Sequence, residues 1–331
     1  MRIPDVHAQR LRLAYPYIGR FVLGFVLMLV TVAVELAFPK AIAFMIDNVG
    51  TEVHTKWLGW LILGLVVVFA LQSAAMAFQQ YMFESTGSMI VRDIRQKLYH
   101  SIINKTIGFF DHNSVGELCN RLSADVEMLQ DTLSSSMAIA IRSMFVVVGG
   151  TVLLITISPP LSIMILIILP VSVILARVVG KHLGSKSRLL QERLANNGSV
   201  AQENFTNIRL VHAFNQQQKS MQKYRESTNN SLVFSLITSR LFSSFQGGIS
   251  FIRYVALLGI LWAGGGLISS GELTVGGLTS FVLYTGMVAT SATAISGFWG
   301  TWMRSVGATE RVFDLLELEK DCLLYTSPSP R

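Results

Sequence analysis

The chain has 331 residues, of which 51% are hydrophobic and 14% charged, whereas soluble domains carry about 25% charged residues. Its mean hydropathy is +0.50. These values disfavour a water-soluble globular enzyme, exclude a disordered protein and predict a membrane protein. The net charge of +7 fits loops that face anionic lipid headgroups better than it fits a nucleic-acid partner, so no nucleic acid is expected.

Six apolar segments are each of the length that a helix needs to cross the hydrocarbon core, about 20 residues. The predicted fold class is therefore an all-α membrane protein with six transmembrane helices. The first apolar run is too long for a signal peptide, so none is expected. In chain order the predicted spans are Phe21–Phe38, Trp57–Phe83, Met137–Ile157, Leu161–Val179, Phe251–Ser269 and Leu278–Trp299.

Basic residues are concentrated on one side of this predicted bundle. The N-terminal segment holds four arginines, and the connections after the second and fourth spans hold fourteen further lysines and arginines, from Arg92 to Arg240. Cytoplasmic loops of membrane proteins carry such an excess of positive charge. We therefore expect a multi-pass protein of the plasma membrane (the inner membrane of a bacterium), in contact with membrane lipid and with both termini in the cytosol.

Two long connections, at about residues 84–136 and 180–240, are predicted to be helical hairpins in the cytosol. In the first, Ile90, Ile94, Leu98 and Ile102 recur at helical spacing, and Leu118, Leu122, Val126, Leu129 and Leu133 follow on the way back. Between them, Gly108–Gly116 is typical of a turn. The hairpins either carry movement between the membrane and a cytosolic partner or form solvated stalks, and periodicity does not distinguish these roles.

Three charged residues, Glu35, Arg142 and Arg253, lie within predicted spans. Such residues face a protein interior or an aqueous cavity. They either line a substrate cavity, pair with one another, or extend their charged ends to the membrane–water interface. The cysteines Cys119 and Cys322 are far apart and the histidines lack ligand spacing, so neither a metal site nor a disulfide is predicted. No catalytic constellation is present either, so no catalytic residue is predicted.

Three stretches resemble one family. The segment IGFFDHNSVGELCNRLSADVEMLQ (Ile107–Gln130) resembles the first intracellular loop of type I ATP-binding cassette (ABC) exporters, and NIRLVHAFNQQQKSMQKY (Asn207–Tyr224) resembles the second. The segments GELTVGGLTSFVLYTGM (Gly271–Met287) and GATERVFDLLELE (Gly307–Glu319) resemble the sixth span and its exit toward the ATPase domain. The similarity extends over nearly the whole chain.

This resemblance implies a half-transporter that dimerises with a second half around a central cavity for an amphiphilic substrate. It implies coupling helices at about Phe110–Leu118 and Thr206–Phe214 that contact a nucleotide-binding domain. The implied coupling residues are Phe110, Asp111, His112, Val115, Gly116, Ile208, Arg209, Val211 and Phe214. The possible cavity residues are Glu35, Arg142 and Arg253, together with Tyr284 and Phe298 on or beside the sixth span, which lines the cavity in this family.

The sequence departs from the family in its C-terminal part. It contains no G-x-x-x-x-G-K-[ST] phosphate loop, and Gly180–Ser187 has its glycines one residue too close. We therefore expect no ATP hydrolysis and no cofactor in this chain, with ATP and Mg confined to the missing nucleotide-binding domain. The predicted organisation is a cytoplasmic segment at 1–20, a six-span domain at 21–305, an exit toward that domain at 306–321, and a non-native tail at 322–331.

Three other functions remain open at this point. A gradient-driven secondary transporter or channel is disfavoured because such folds use broken spans and internal repeats, whereas these spans look continuous. A permease with a separately encoded ATPase is a variant of the exporter hypothesis. A membrane receptor or scaffold, whose hairpins only recruit a partner, is the third.

Overall fold

The computed structural model describes residues 17–48 and 55–317, and the side chains of residues 55–58, 133, 168–176 and 317 lie outside that description. The described chain is helical apart from short connections, and it contains no strand. This confirms the predicted all-α class.

Ten α-helices and two π-helical turns make up the described chain. The π-helical turns are Arg121–Asp125 and Thr132–Ser136. The α-helices are α1 (Ile18–Asn48), α2 (Thr55–Ile103), α3 (Ile107–His112), α4 (Val115–Asn120), α5 (Val126–Asp131), α6 (Met137–Ile157), α7 (Pro159–Thr206), α8 (Ile208–Ala213), α9 (Gln217–Ser269) and α10 (Val275–Glu317).

Five helical segments of the described chain are long and apolar enough to cross a membrane, and each overlaps one predicted span. They are Ile18–Asn48, Gly59–Ile103, Val115–Ile157, Gln217–Ser269 and Val275–Leu316. The predicted fourth span, Leu161–Val179, belongs to α7, but half of its side chains lie outside the described residues. The segment before residue 17 and the predicted tail at 322–331 also lie outside them.

The first span is longer than the sequence predicts. We expect it to end at Phe38, before Pro39, but α1 continues through the proline to Asn48. A proline removes one backbone hydrogen bond, whereas ending the helix in hydrocarbon would leave several backbone groups without partners. Pro39 is buried in the bundle. Continuing the helix through the proline therefore costs less free energy than ending it there.

The chain forms two compact units. The first holds the described parts of Met1–Ile157 and Thr274–Arg331, and the second is Ser158–Leu273. Within the first unit, α10 packs along α1 and α6, and α1 packs on α2. Met28, Val32 and Val146 form a small core between these helices.

The helix α2 runs without a break over 49 residues, or about 74 Å at 1.5 Å per residue. About 40 Å of it therefore extends beyond a 30 Å hydrocarbon core. The predicted apolar face of this extension is confirmed, because its isoleucines and leucine are buried in a cluster with α4, α5 and α10. We name this group the hairpin cluster, and its buried members are Ile90, Val91, Ile94, Leu98, Ile102, Leu118, Val126, Leu129, Val312 and Leu315.

Helix α7 of the second unit begins at Pro159, where the proline occupies the first turn, as its missing N–H permits. The hairpin of this unit is held by polar contacts rather than by an apolar seam. The Asn197 amide donates to Ser231 Oγ at 2.9 Å, Ser227 Oγ donates back to Asn197 Oδ1 at 2.6 Å, and Lys223 pairs with Glu203. Most apolar side chains at helical spacing along this hairpin are exposed, whereas Leu190 and Ala201 are half-buried. The exposed ones are Leu194, Phe205, Met221, Tyr224 and Leu232.

Candidate functional site

The tip of the first hairpin consists of two short helices rather than the single turn or coupling helix that the sequence predicts. The α3 helix ends at His112 and α4 begins at Val115. Between them, Asn113 and Ser114 adopt extended backbone conformations, and Ser114 Oγ accepts the Glu117 N–H at 3.2 Å. This N-cap starts a new helix, and S-x-x-E is a recognised capping pattern. Ser114 and Glu117 are the local sequence signal for this break.

Apolar side chains at this first tip are exposed. Val115 is 72% exposed and Phe110 is 41% exposed, with the Phe110 ring edge-on to Phe109 at 5.6 Å. Asp111, His112 and Gly116 are exposed beside them, and His112 Nδ1 lies 2.8 Å from the Gly108 carbonyl oxygen. An exposed valine and phenylalanine at the tip of a hairpin favour contact with another protein surface.

The tip of the second hairpin is the short helix α8. Ile208, Leu210 and Phe214 are exposed, Phe214 to 71%, while Val211 is half-buried and Arg209 is exposed. The chain reverses at Asn215, whose φ of 51° lies in the left-handed region that asparagine tolerates. The Gln216 N–H then donates to the Val211 carbonyl at 2.9 Å, which closes the turn.

Within the membrane-spanning part of the first unit, Glu35 on α1 and Arg142 on α6 form an ion pair. Arg142 Nη2 donates to Glu35 Oε2 at 2.6 Å, and both side chains are about seven-tenths buried. The sequence left pairing and cavity contact open as alternatives, and the structure has the two residues paired.

The other three predicted cavity residues lie in different surroundings. Tyr284 is fully buried on α10, and its hydroxyl donates to the Leu36 carbonyl near Pro39. In this structure the Tyr284 hydroxyl joins α10 to α1, and a role for Tyr284 at a substrate cavity stays a prediction. Arg253 belongs to the second unit, where it is exposed and lies over the Tyr254 ring at 5.4 Å.

Phe298 lines a cavity of about 220 Å³ in the first unit. Its ring contacts Trp302 with the centroids 5.8 Å apart. The cavity wall is apolar and largely aromatic, which suits a hydrophobic moiety. Its lining residues are Met137, Ala140, Ile141, Phe298, Trp299 and Trp302.

At the opposite end of the bundle, Asp47 of α1 caps the first turn of α10. Asp47 Oδ2 accepts the Thr274 hydroxyl and Oδ1 accepts the Gly276 N–H, both at 2.8 Å. Thr274 Oγ1 also accepts the Gly277 N–H. Sequence analysis missed this contact, for which Thr274 before a helical run was the single local signal.

The start of α1 is anchored to the extension of α2 beyond the predicted second span. The Tyr17 hydroxyl donates to Asp93 Oδ2 at 3.0 Å, ten residues beyond the predicted end of the second span. The hydrogen bond from Arg92 lowers the pKa of the Asp93 carboxyl, and the bond from Tyr17 lowers it further. Asp93 is therefore ionised at neutral pH and available to hold both partners.

Comparison with known proteins agrees with this architecture. "ABC transporter B family member 1" of Dictyostelium discoideum is 28% identical over 93% of this chain and 34% of its own length. "ATP-binding cassette sub-family B member 10, mitochondrial" of Mus musculus is 29% identical over 93% of this chain and 43% of its own. "ATP-dependent permease MDL1" of Candida albicans is 26% identical over 93% and 49%.

The chain thus spans less than half of the length of these curated relatives. The family described as "ABC transporter transmembrane region" matches residues 21–292, which is most of the chain. The chain belongs to the ABC transporter transmembrane family.

Proposed function

We propose that this chain is the membrane half of an ATP-driven exporter and that its two hairpin tips transmit movement from an ATP-binding domain. The observation that carries the proposal is the exposure of Val115 and Phe214 at hairpin tips that follow the long helices α2 and α7. A solvated stalk has no need of apolar residues at its tip. A lever needs both stiffness along its length and adhesion at its end.

The substrate pathway is proposed to form between this chain and a second half-transporter, either a copy of this chain or a relative. The exposed apolar side chains of the second hairpin, such as Leu232 and Met221, support a partner surface there, since apolar patches on cytosolic segments mark protein contacts. The aromatic cavity around Phe298 supports an amphiphilic substrate with an apolar part.

The test requires an ATP-binding domain. If the reading frame continues, this is the domain encoded after the transmembrane part, and if the frame ends, it is the ATPase encoded by a neighbouring gene. Reading the genomic DNA beyond the codon for Asp321 identifies which of the two applies. The domain is then titrated against the chain in lipid nanodiscs. Phe214→Asp places a charge at the second tip, and we expect its affinity to fall at least about tenfold, which corresponds to 1.4 kcal/mol.

The matched control is Val233→Asp, which makes the same change at an exposed position of α9, about 27 Å along the helix from the turn. Its affinity should equal that of the unmodified chain. Equal affinity of the Phe214 variant and the unmodified chain would overturn the coupling role. Solute uptake driven by an ion gradient without any ATPase would favour the secondary transporter instead.

A further inference from the structure

The cytoplasmic end of α10 is joined to the first hairpin by a two-pronged ion pair. Arg311 Nε donates to Asp125 Oδ2 at 3.0 Å, and Arg311 Nη2 donates to Asp125 Oδ1 at 2.9 Å. The Asp125 side chain is only 9% exposed, whereas that of Arg311 is 51% exposed. Two parallel hydrogen bonds of this kind fix the angle between their partners as well as their distance.

A second polar contact fixes the position of the last described turn of α10 along α2. The Ser101 hydroxyl of α2 donates to the Leu315 carbonyl at 2.7 Å, in a buried position. Leu315 lies in the last described turn of α10. The Ser101 hydroxyl therefore joins α2 directly to the backbone of this turn.

Apolar packing surrounds both contacts. Val312 and Leu315 are buried in the hairpin cluster against α2, α4 and α5. Such packing brings the helices together but tolerates sliding and rotation, because apolar contact has no direction. The ion pair and the Ser101 bond remove that freedom.

Asp125 occupies a π-helical turn, Arg121–Asp125. Single π-helical turns are rare and often lie at functional positions. The extra residue in the turn changes the direction in which the following side chains point. Here the turn ends on the carboxylate that meets Arg311.

We infer that Asp125 and Arg311 are positioning residues that lock the connector, residues 306–317 of α10, to the first hairpin. The inference rests on the proposed coupling function. Movement received at the tip formed by α3 and α4, and movement received by the chain after Glu317, then reach the sixth span as one displacement. Without the lock, an ATPase domain still binds and hydrolyses ATP, but the two inputs are no longer synchronised.

The lock itself is tested on the chain alone, in nanodiscs, by amide hydrogen exchange. In Arg311→Gln we expect exchange in residues 308–316 to accelerate at least about tenfold. The control is Arg304→Gln, an exposed arginine on the same helix whose Nη2 donates to the Thr301 hydroxyl of its own helix. The control should leave exchange unchanged, and unchanged exchange in the Arg311 variant would overturn the inference.

A double variant separates the pair from general damage to the helix. If the two side chains act on each other, Asp125→Asn combined with Arg311→Gln should exchange no faster than Arg311→Gln alone. If the two effects multiply, the residues act independently and the lock is wrong.

The positioning role is tested with the ATPase domain bound. The reporter chain carries Phe298→Cys, and its two native cysteines are removed by Cys119→Ser and Cys322→Ser so that position 298 alone can react. This chain is labelled with a membrane-impermeant maleimide. In the otherwise unmodified chain, ATP should change the labelling rate. With Arg311→Gln, we expect ATP hydrolysis to persist while this change falls several-fold, and reversing the pair (Asp125→Arg with Arg311→Asp) should restore it.

The outcomes distinguish the two proposals. Faster exchange together with an unchanged response of the labelling rate to ATP would make the pair structural and would overturn its positioning role. Failure of the ATPase domain to bind the unmodified chain would overturn the proposed function, while the exchange result would still decide whether the lock exists.

Discussion

At the scale of single residues, long-range polar contacts hold the membrane helices of the first unit together. Tyr284 joins α10 to α1 through the Leu36 carbonyl, and Arg142 joins α6 to Glu35 on α1. Hydrocarbon provides no hydrophobic force between helices, so close packing and hydrogen bonds determine which helices associate. Each of these residues was a candidate for substrate contact, and each is used in the structure to hold neighbouring helices.

Glycine is required at residue 276, where α10 passes very close to α1. A β-carbon there would overlap the Ala43 carbonyl oxygen and lie 2.7 Å from the Asp47 carboxylate. Gly276→Ala should therefore lower the free energy of unfolding by about 1–3 kcal/mol, the usual cost of overpacking. The decrease is measured as a lower melting temperature of the detergent-solubilised protein.

The control for this prediction is Gly286→Ala, ten residues further along the same helix, where a β-carbon would meet nothing within 4 Å. Alanine should be neutral or slightly stabilising there because it favours the helix. A Gly276 variant that melts like the Gly286 variant would contradict the close approach of α1 and α10.

At the scale of elements, the two hairpins resemble each other in sequence plan but differ in how their arms are joined. The first has a buried apolar cluster, while the second is joined by Asn197 with Ser227 and Ser231. In the first, Gly87 of α2 allows the arms to approach closely, since a β-carbon there would lie 2.5 Å from Ser134 Cβ. We therefore expect the two arms of the first hairpin to move less relative to each other than the two arms of the second.

Capping decides the shape of the first tip. Ser114→Ala removes the side-chain acceptor for the Glu117 N–H, and loss of such a cap costs about 1 kcal/mol. We expect amide exchange at residues 116–118 to accelerate about fivefold as α4 frays. Hydrogen exchange followed by mass spectrometry or NMR measures the change.

Ser123→Ala is the matched control, because Ser123 Oγ donates to the Cys119 carbonyl in a helical interior rather than capping a helix end. Its removal should leave exchange at 116–118 unaltered. If the two variants behave alike, Ser114 does not define the start of α4.

At the scale of the whole molecule, the distribution of positive charge predicts the orientation in the membrane. The first hairpin holds the exposed Cys119, and the turn before α10 holds the exposed Glu272. With the hairpins in the cytosol, these two positions lie on opposite sides of the membrane. A membrane-impermeant maleimide should therefore distinguish them.

In a chain with Cys322→Ser, we expect the maleimide to leave Cys119 unlabelled in intact cells and to label it after lysis. A second chain with Glu272→Cys, Cys119→Ser and Cys322→Ser should be labelled in intact cells. The opposite pattern would place both hairpins outside the cytosol and would exclude an ATP-driven role for their tips.

Much of the architecture is determined by the sequence alone, because hydropathy and helical period are local properties. The ends of α6 at Met137 and Ile157 match the predicted third span, and the buried series Ile90, Ile94 and Leu98 follows from 3.6-residue spacing. The sequence places the end of the first span at Phe38, whereas the helix continues through Pro39 to Asn48. The free-energy cost of ending a helix in lipid depends on its surroundings and not on the local sequence.

The contacts that define the candidate site were decided only by the tertiary structure. Asp125 and Arg311 are 186 residues apart, Asp47 and Gly276 are 229 apart, and Leu36 and Tyr284 are 248 apart. Nothing in the local pattern around an aspartate says which distant arginine or helix end it meets. Burial in apolar surroundings makes an unpaired polar group costly, so the folded bundle retains the pairs that satisfy one another.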